Sequence, residues 1–107
     1  MYFIDESTVT RRSIAPGVAL RVISGDHAQM SFVSLSPGSQ VPMHSHSNEQ
    51  LGVVLEGSFD MVIGGQRKTV RKGDTYVIPG GVEHGVVAVS EPAVALDIFS
   101  PPREDYR

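Results

Sequence analysis

Hydrophobic residues come in short bursts along this chain, and most bursts alternate with polar positions at a period of two. Val18, Leu20 and Val22 alternate against Ala19, Arg21 and Ile23, which predicts a strand from Val18 to Ser24 with one buried face. Comparable runs predict strands over Met30 to Leu35, Glu49 to Leu55, Phe59 to Ile63, Arg67 to Val70, Thr75 to Ile78, His84 to Val89 and Ala93 to Phe99. A weaker extended pattern from Tyr2 to Val9 predicts an edge strand. Glycine and proline punctuate these runs, and Gly64-Gly65 marks a tight hairpin because glycine tolerates the positive φ of such a turn. Pro101-Pro102 ends the pattern, since proline supplies no ladder donor. About eight or nine short strands without helical crossovers predict an all-β sandwich or barrel, one domain spanning residues 1–107.

Composition narrows the function classes. A chain of 107 residues suits one domain, and 40% hydrophobic with 20% charged residues is ordinary for a globular protein. The net charge of −3 is spread along the chain, with no basic stripe for nucleic acid. With no cysteine, neither disulfides nor a thiolate nucleophile is available. The start, Met1-Tyr2-Phe3-Ile4-Asp5-Glu6, turns acidic at once, unlike a signal peptide, and no apolar run is long enough to span a bilayer. The expectation is a cytoplasmic protein that engages neither nucleic acid nor membrane.

The chemistry concentrates in Pro42-Met43-His44-Ser45-His46-Ser47-Asn48-Glu49-Gln50. In an extended segment His44 and His46 share a face, and neutral imidazole is the commonest protein metal ligand. His84 opens a strand after the Pro79-Gly80-Gly81 turn and can converge on the pair, whereas His27 sits alone in a turn and reads as an exposed, inert residue. Gln50 and Glu49 are the oxygen candidates for a fourth ligand. Such a set suits one divalent transition metal ion, and nickel, zinc, iron and manganese all tolerate it. A second anomaly lies in Ala93-Val94-Ala95-Leu96-Asp97-Ile98-Phe99, where an acid shares a strand face with Ala95 and Phe99. Asp97 is either a solvent-facing residue on an edge strand or a buried acid with a partner or a function. By residue type alone Phe99 reads as core. Arg103 reads as a solvated cation, or as a planar fork that holds a carboxylate.

These motifs resemble the cupins, the small double-stranded β-helix (jelly-roll) family. Gly38, His44, His46, Gln50 and Gly57 fall at the spacing of the first cupin motif, with Gln50 where glutamate is usual. Gly73, Pro79, Gly81 and His84 match the second motif, which departs at Ala88, usually asparagine. The segment from Leu96 through Pro101-Pro102-Arg103 to Tyr106 further resembles the tail of the pectin-degradation, KdgF-like group. That resemblance implies metal ligation by His44, His46, Gln50 and His84, with Asp97, Phe99 and Arg103 completing the site. It implies a lyase or isomerase that converts 4,5-unsaturated uronates from pectin and alginate breakdown into linear keto forms. The metal would act as a Lewis acid, Asp97 as acid–base, and Phe99 and Arg103 as binding residues for a sugar acid. Glu49 is then a flanking residue, and Gln40 and Glu83 are weaker candidates for the mouth. The resemblance also implies a homodimer, which would cover exposed sheet edges. Two alternatives remain: a small-molecule-binding or sensing cupin without turnover, and a metal-dependent dioxygenase.

Overall fold

The computed structural model describes residues 2–107. After a 3-10 turn at Glu6–Thr8, the chain forms ten strands: β1 (Thr10–Ala15), β2 (Val18–Ser24), β3 (Gln29–Leu35), β4 (Val41–His44), β5 (Glu49–Glu56), β6 (Ser58–Ile63), β7 (Gln66–Arg71), β8 (Thr75–Ile78), β9 (His84–Ala88) and β10 (Ala93–Ser100). They make a six-stranded sheet, ordered β1-β2-β3-β10-β5-β8, and a four-stranded sheet, ordered β4-β9-β6-β7, with antiparallel pairing throughout. A second 3-10 turn, Glu104–Tyr106, ends the chain. No helix of the described residues is long and apolar enough to cross a membrane.

The alternating pattern becomes burial directly. Val18, Leu20 and Val22 face inward while their neighbours do not, because successive side chains of a strand point to opposite faces. Facing rows from both sheets, among them Val54, Ile78, Phe59, Met61 and Val86, fill the space between them. A smaller cluster of Leu20, Val22, Phe99 and Tyr106 packs the tail against the open end. Fully burying such side chains stabilises the fold by roughly 1.5–3 kcal/mol each. The β6–β7 hairpin turns through Gly64-Gly65, with Ile63 paired to Gln66.

Two expectations need correction, and one choice left open is decided. The expected strand from Tyr2 to Val9 is absent: the Asp5 carboxylate accepts the Ser7 N–H at 3.0 Å and caps a turn there. The edge strand is instead Thr10–Ala15, whose mostly polar sequence, suited to a strand exposed at an edge, gives little hydrophobic period. The histidine stretch is only partly extended, since β4 stops at His44 and His46 lies in the following loop. Asp97 is not on an edge: β10 runs between β3 and β5, and Asp97 faces inward at 8% exposure.

Candidate functional site

Each histidine is positioned by backbone close to it. His44 and His84 are direct cross-strand partners on β4 and β9, so their rings stand side by side, with centroids 4.3 Å apart. His46 is placed by the second turn of the sequence, because the Gly81 N–H donates to the His46 carbonyl at 2.8 Å. That approach needs the adjacent glycine: a Cβ on Gly80 would overlap the Ser47 carbonyl oxygen. The side-chain nitrogens of His44, His46 and His84 all lie within 4.8 Å of one another.

The ring orientations follow one rule. Nδ1 of His44 meets the Pro42 carbonyl at 2.8 Å, Nδ1 of His46 the Asn48 carbonyl at 3.1 Å, and Nδ1 of His84 the Val82 carbonyl at 2.9 Å. A carbonyl only accepts, so each Nδ1 carries a proton, and a ring in its neutral form leaves Nε2 bare. Burial, then the charge of Arg103, holds His46 below the usual histidine range; burial, then the neighbouring imidazoles, holds His84 down at about 4. His84 is therefore neutral at pH 7, and its buried Nε2 has no hydrogen-bond partner.

Gln50, on β5, completes the group. Its Oε1 lies 3.2 Å from His46 Nε2, so two lone-pair-bearing atoms face each other. The same side chain lies close enough to Asp97 to help hold that carboxyl down. An orphaned imidazole nitrogen and two opposed acceptors are satisfied together by a cation. The donor set of three imidazoles and an amide oxygen thus fits a divalent metal ion.

Asp97 projects from β10 into the same cavity, whose wall includes His44, Gln50, His84, Phe99 and Arg103. Burial pushes its carboxyl up to about 6, against hydrogen bonds from Tyr76 and Gln50 and the charge of Arg103. A carboxyl poised there exchanges protons readily near neutral pH. Phe99 packs edge-on to His46, with centroids 5.5 Å apart. The tail beyond Pro101-Pro102 folds back over this end. Asn48 Nδ2 donates to the Pro101 carbonyl at 2.7 Å, and the buried Gln29 amide exchanges hydrogen bonds with the Arg103 backbone, 3.1 Å each way. The Arg103 guanidinium lies over the Tyr106 ring at 4.0 Å and pairs with Asp105 at 3.0 Å.

The structure thus brings together His44, His46, Gln50, His84, Asp97, Phe99 and Arg103. Gln40, Glu49, Glu83 and His27 are all exposed. Sequence reasoning missed Tyr76, which reads as an ordinary strand aromatic, and Gln29 and Asn48, whose partners lie 74 and 53 residues away. An amide inside an alternating strand was the one available signal for Gln29.

Residues 31–99 match the cupin domain family. The chain belongs to the cupins. It is similar to the pectin degradation protein KdgF of Dickeya dadantii, at 34% identity over 107 residues, covering 98% of this chain and 96% of that protein. The KdgF structure from Halomonas superposes with a TM-score of 0.84 at 26% identity, covering 98% of this cupin and 96% of that chain. An RmlC-like cupin from Shewanella frigidimarina superposes with a TM-score of 0.88 at 25% identity, covering 100% of this chain and 96% of the other. The chain is therefore a KdgF-like cupin.

Proposed function

We propose that this cupin is a metal-dependent enzyme that converts 4,5-unsaturated uronates, released in pectin and alginate breakdown, into their linear keto forms. The observation that carries the reading is Asp97, a buried carboxyl in the cavity that His44, His84 and Gln50 also line, beside the cluster of three histidines. A protein that only bound a ligand would have no use for such an acid beside its metal. The similarity to the pectin degradation protein supports the substrate class.

His44, His46, Gln50 and His84 hold the metal. When bound, it supplies a Lewis acid for the oxygens of the sugar acid, undiminished in charge because Gln50 is neutral. Arg103 binds the substrate carboxylate, in exchange for or alongside its exposed partner Asp105. Phe99 gives the sugar ring an apolar wall. Asp97 takes the proton of the anomeric hydroxyl. The bond from that carbon to the ring oxygen then breaks, leaving an aldehyde. The pair left on the ring oxygen forms the C5 carbonyl, and the C4–C5 π pair takes up a proton at C4 from the Asp97 carboxyl, so C5 becomes a ketone. One proton leaves and one returns, so the isomerisation needs no co-reactant.

Loss of the enol-ether absorbance on adding metal-loaded protein tests the reading. Acceleration over the spontaneous reaction is expected. Metal-loaded protein that gives none, or that consumes oxygen with another substrate, overturns it. The homodimer belongs to the same proposal: Tyr2 and Phe3, which precede the edge strand β1 in the chain, stand 94% and 92% exposed. Sedimentation at the mass of two chains is expected, and a monomer at all concentrations rejects it.

A further inference from the structure

A transverse row of register partners crosses the six-stranded sheet next to the site: Ser31 on β3, Asp97 on β10, Gly52 on β5 and Tyr76 on β8. Side chains on a sheet face ordinarily stand away from it. Tyr76 instead lies down across β5. A Cβ built on Gly52 would overlap two carbons of the Tyr76 ring, so the ring occupies the space a side chain at position 52 would need. By crossing the glycine, the Tyr76 hydroxyl reaches the next strand and donates to Asp97 Oδ1 at 2.7 Å. Tyr76 and Asp97 are 9% and 8% exposed, so water does not readily replace this contact.

We propose that Tyr76 is a positioning residue for Asp97, and that Gly52 is the gap that lets it act. Tyr76 engages Oδ1 of a carboxyl that shares its cavity with Gln50, His44 and His84. The torsion of Asp97 is thereby fixed, and Oδ2 is the oxygen that Tyr76 leaves to the ligand. The kinetic consequence rests on the function proposed above; the hydrogen bond itself does not. Were Tyr76 only core packing, its ring would matter and its hydroxyl would not. Gly52 makes room for the ring in either case, so the hydroxyl is what separates the two readings.

Steady-state kinetics on metal-loaded protein separate the two. Tyr76→Phe keeps the ring and removes the hydroxyl; kcat is expected to fall ~10- to 100-fold with KM little changed, the scale of a misplaced catalytic group. Gly52→Ala keeps the hydroxyl and displaces it, so the same loss is expected. The double variant is expected to be no worse than either single one, because both break one contact. Unchanged kcat in Tyr76→Phe with metal content and fold intact overturns the proposal. It does so even if Gly52→Ala fails to fold. A buried tyrosine hydroxyl bonded to a carboxyl should also give a downfield, slowly exchanging proton resonance. That resonance is expected to vanish in Tyr76→Phe and to move in Asp97→Asn. If wild-type protein turns over no unsaturated uronate, the functional reading falls. The resonance then decides whether Tyr76 holds Asp97: its absence from wild type overturns that contact, and its presence and response to both substitutions support it.

Discussion

The two halves of the site are built by different means. The histidine half lies largely on the small sheet and its loops, and each ring is oriented by a carbonyl two residues away in sequence. The carboxylate half lies on the large sheet, and Asp97 is held by Tyr76, 21 residues distant. The first half is assembled by local chain geometry and points each Nδ1 at a carbonyl. The second is assembled by strand pairing and keeps its carboxyl near protonation. Burial acts on both, with opposite sign: it removes a proton from His84 and retains one on Asp97, since low polarity disfavours whichever form is charged. Gln50 lies between the halves, its oxygen 3.2 Å from His46 Nε2 and its side chain on the same cavity as Asp97.

The histidine half should be the more sensitive for metal. His84→Ala removes one of the cross-strand pair and is expected to lower metal affinity more than ~100-fold and to abolish turnover, as metal titration and activity would show. Asp97→Asn should separate the halves, retaining metal while turnover drops ~10²- to 10⁴-fold. Metal loss in this variant would mean that the two halves are one unit.

Opposite pH signatures sharpen the contrast in the metal-free protein. Asp97 has a folded pKa of about 6, above its model-compound value of 3.8. Its favourable contribution is therefore present below about pH 4 and is lost as pH rises through 6. Asp97→Asn removes that loss, so its stability relative to wild type should increase by up to ~3 kcal/mol between pH 4 and 7 in denaturant titrations. His84 has a folded pKa of about 4 against 6.5 for a free imidazole, so stability is lost as pH falls through that window. His84→Gln should therefore gain relative to wild type on acidification, the reverse dependence. Parallel curves for the two variants would contradict the assignment of opposite charge states.

The smallest effect is expected at the join. Gln50→Glu still offers an oxygen to the metal but cannot donate to Asp97 when ionised, and it brings two carboxyls together. Metal should be retained, kcat should fall ~10-fold, and the pH at which activity turns on should rise, because like charges resist joint ionisation. Unchanged kcat would show that the amide donor is dispensable.

What the sequence determined by itself follows the range of the interactions involved. Alternation along β2, β5, β6 and β10, together with turn residues, is a property of neighbours in the chain, so the all-β architecture was legible. So were the histidines, whose spacing and flanking glycine and proline carry the cupin pattern, and the anomaly of an acid in an apolar strand. The sequence could not place the edge strand Thr10–Ala15, because an exposed strand is under little pressure to alternate. Nor could it choose between a solvated and a buried Asp97, since the strand carries both faces and only the sheet order decides which is covered. Tertiary structure alone set Tyr76 across Gly52, hung the Arg103 tail from Gln29 and Asn48, and turned the Gln50 amide. Each of these contacts joins residues on different strands or in the tail, and such pairs become neighbours only when the sheets assemble.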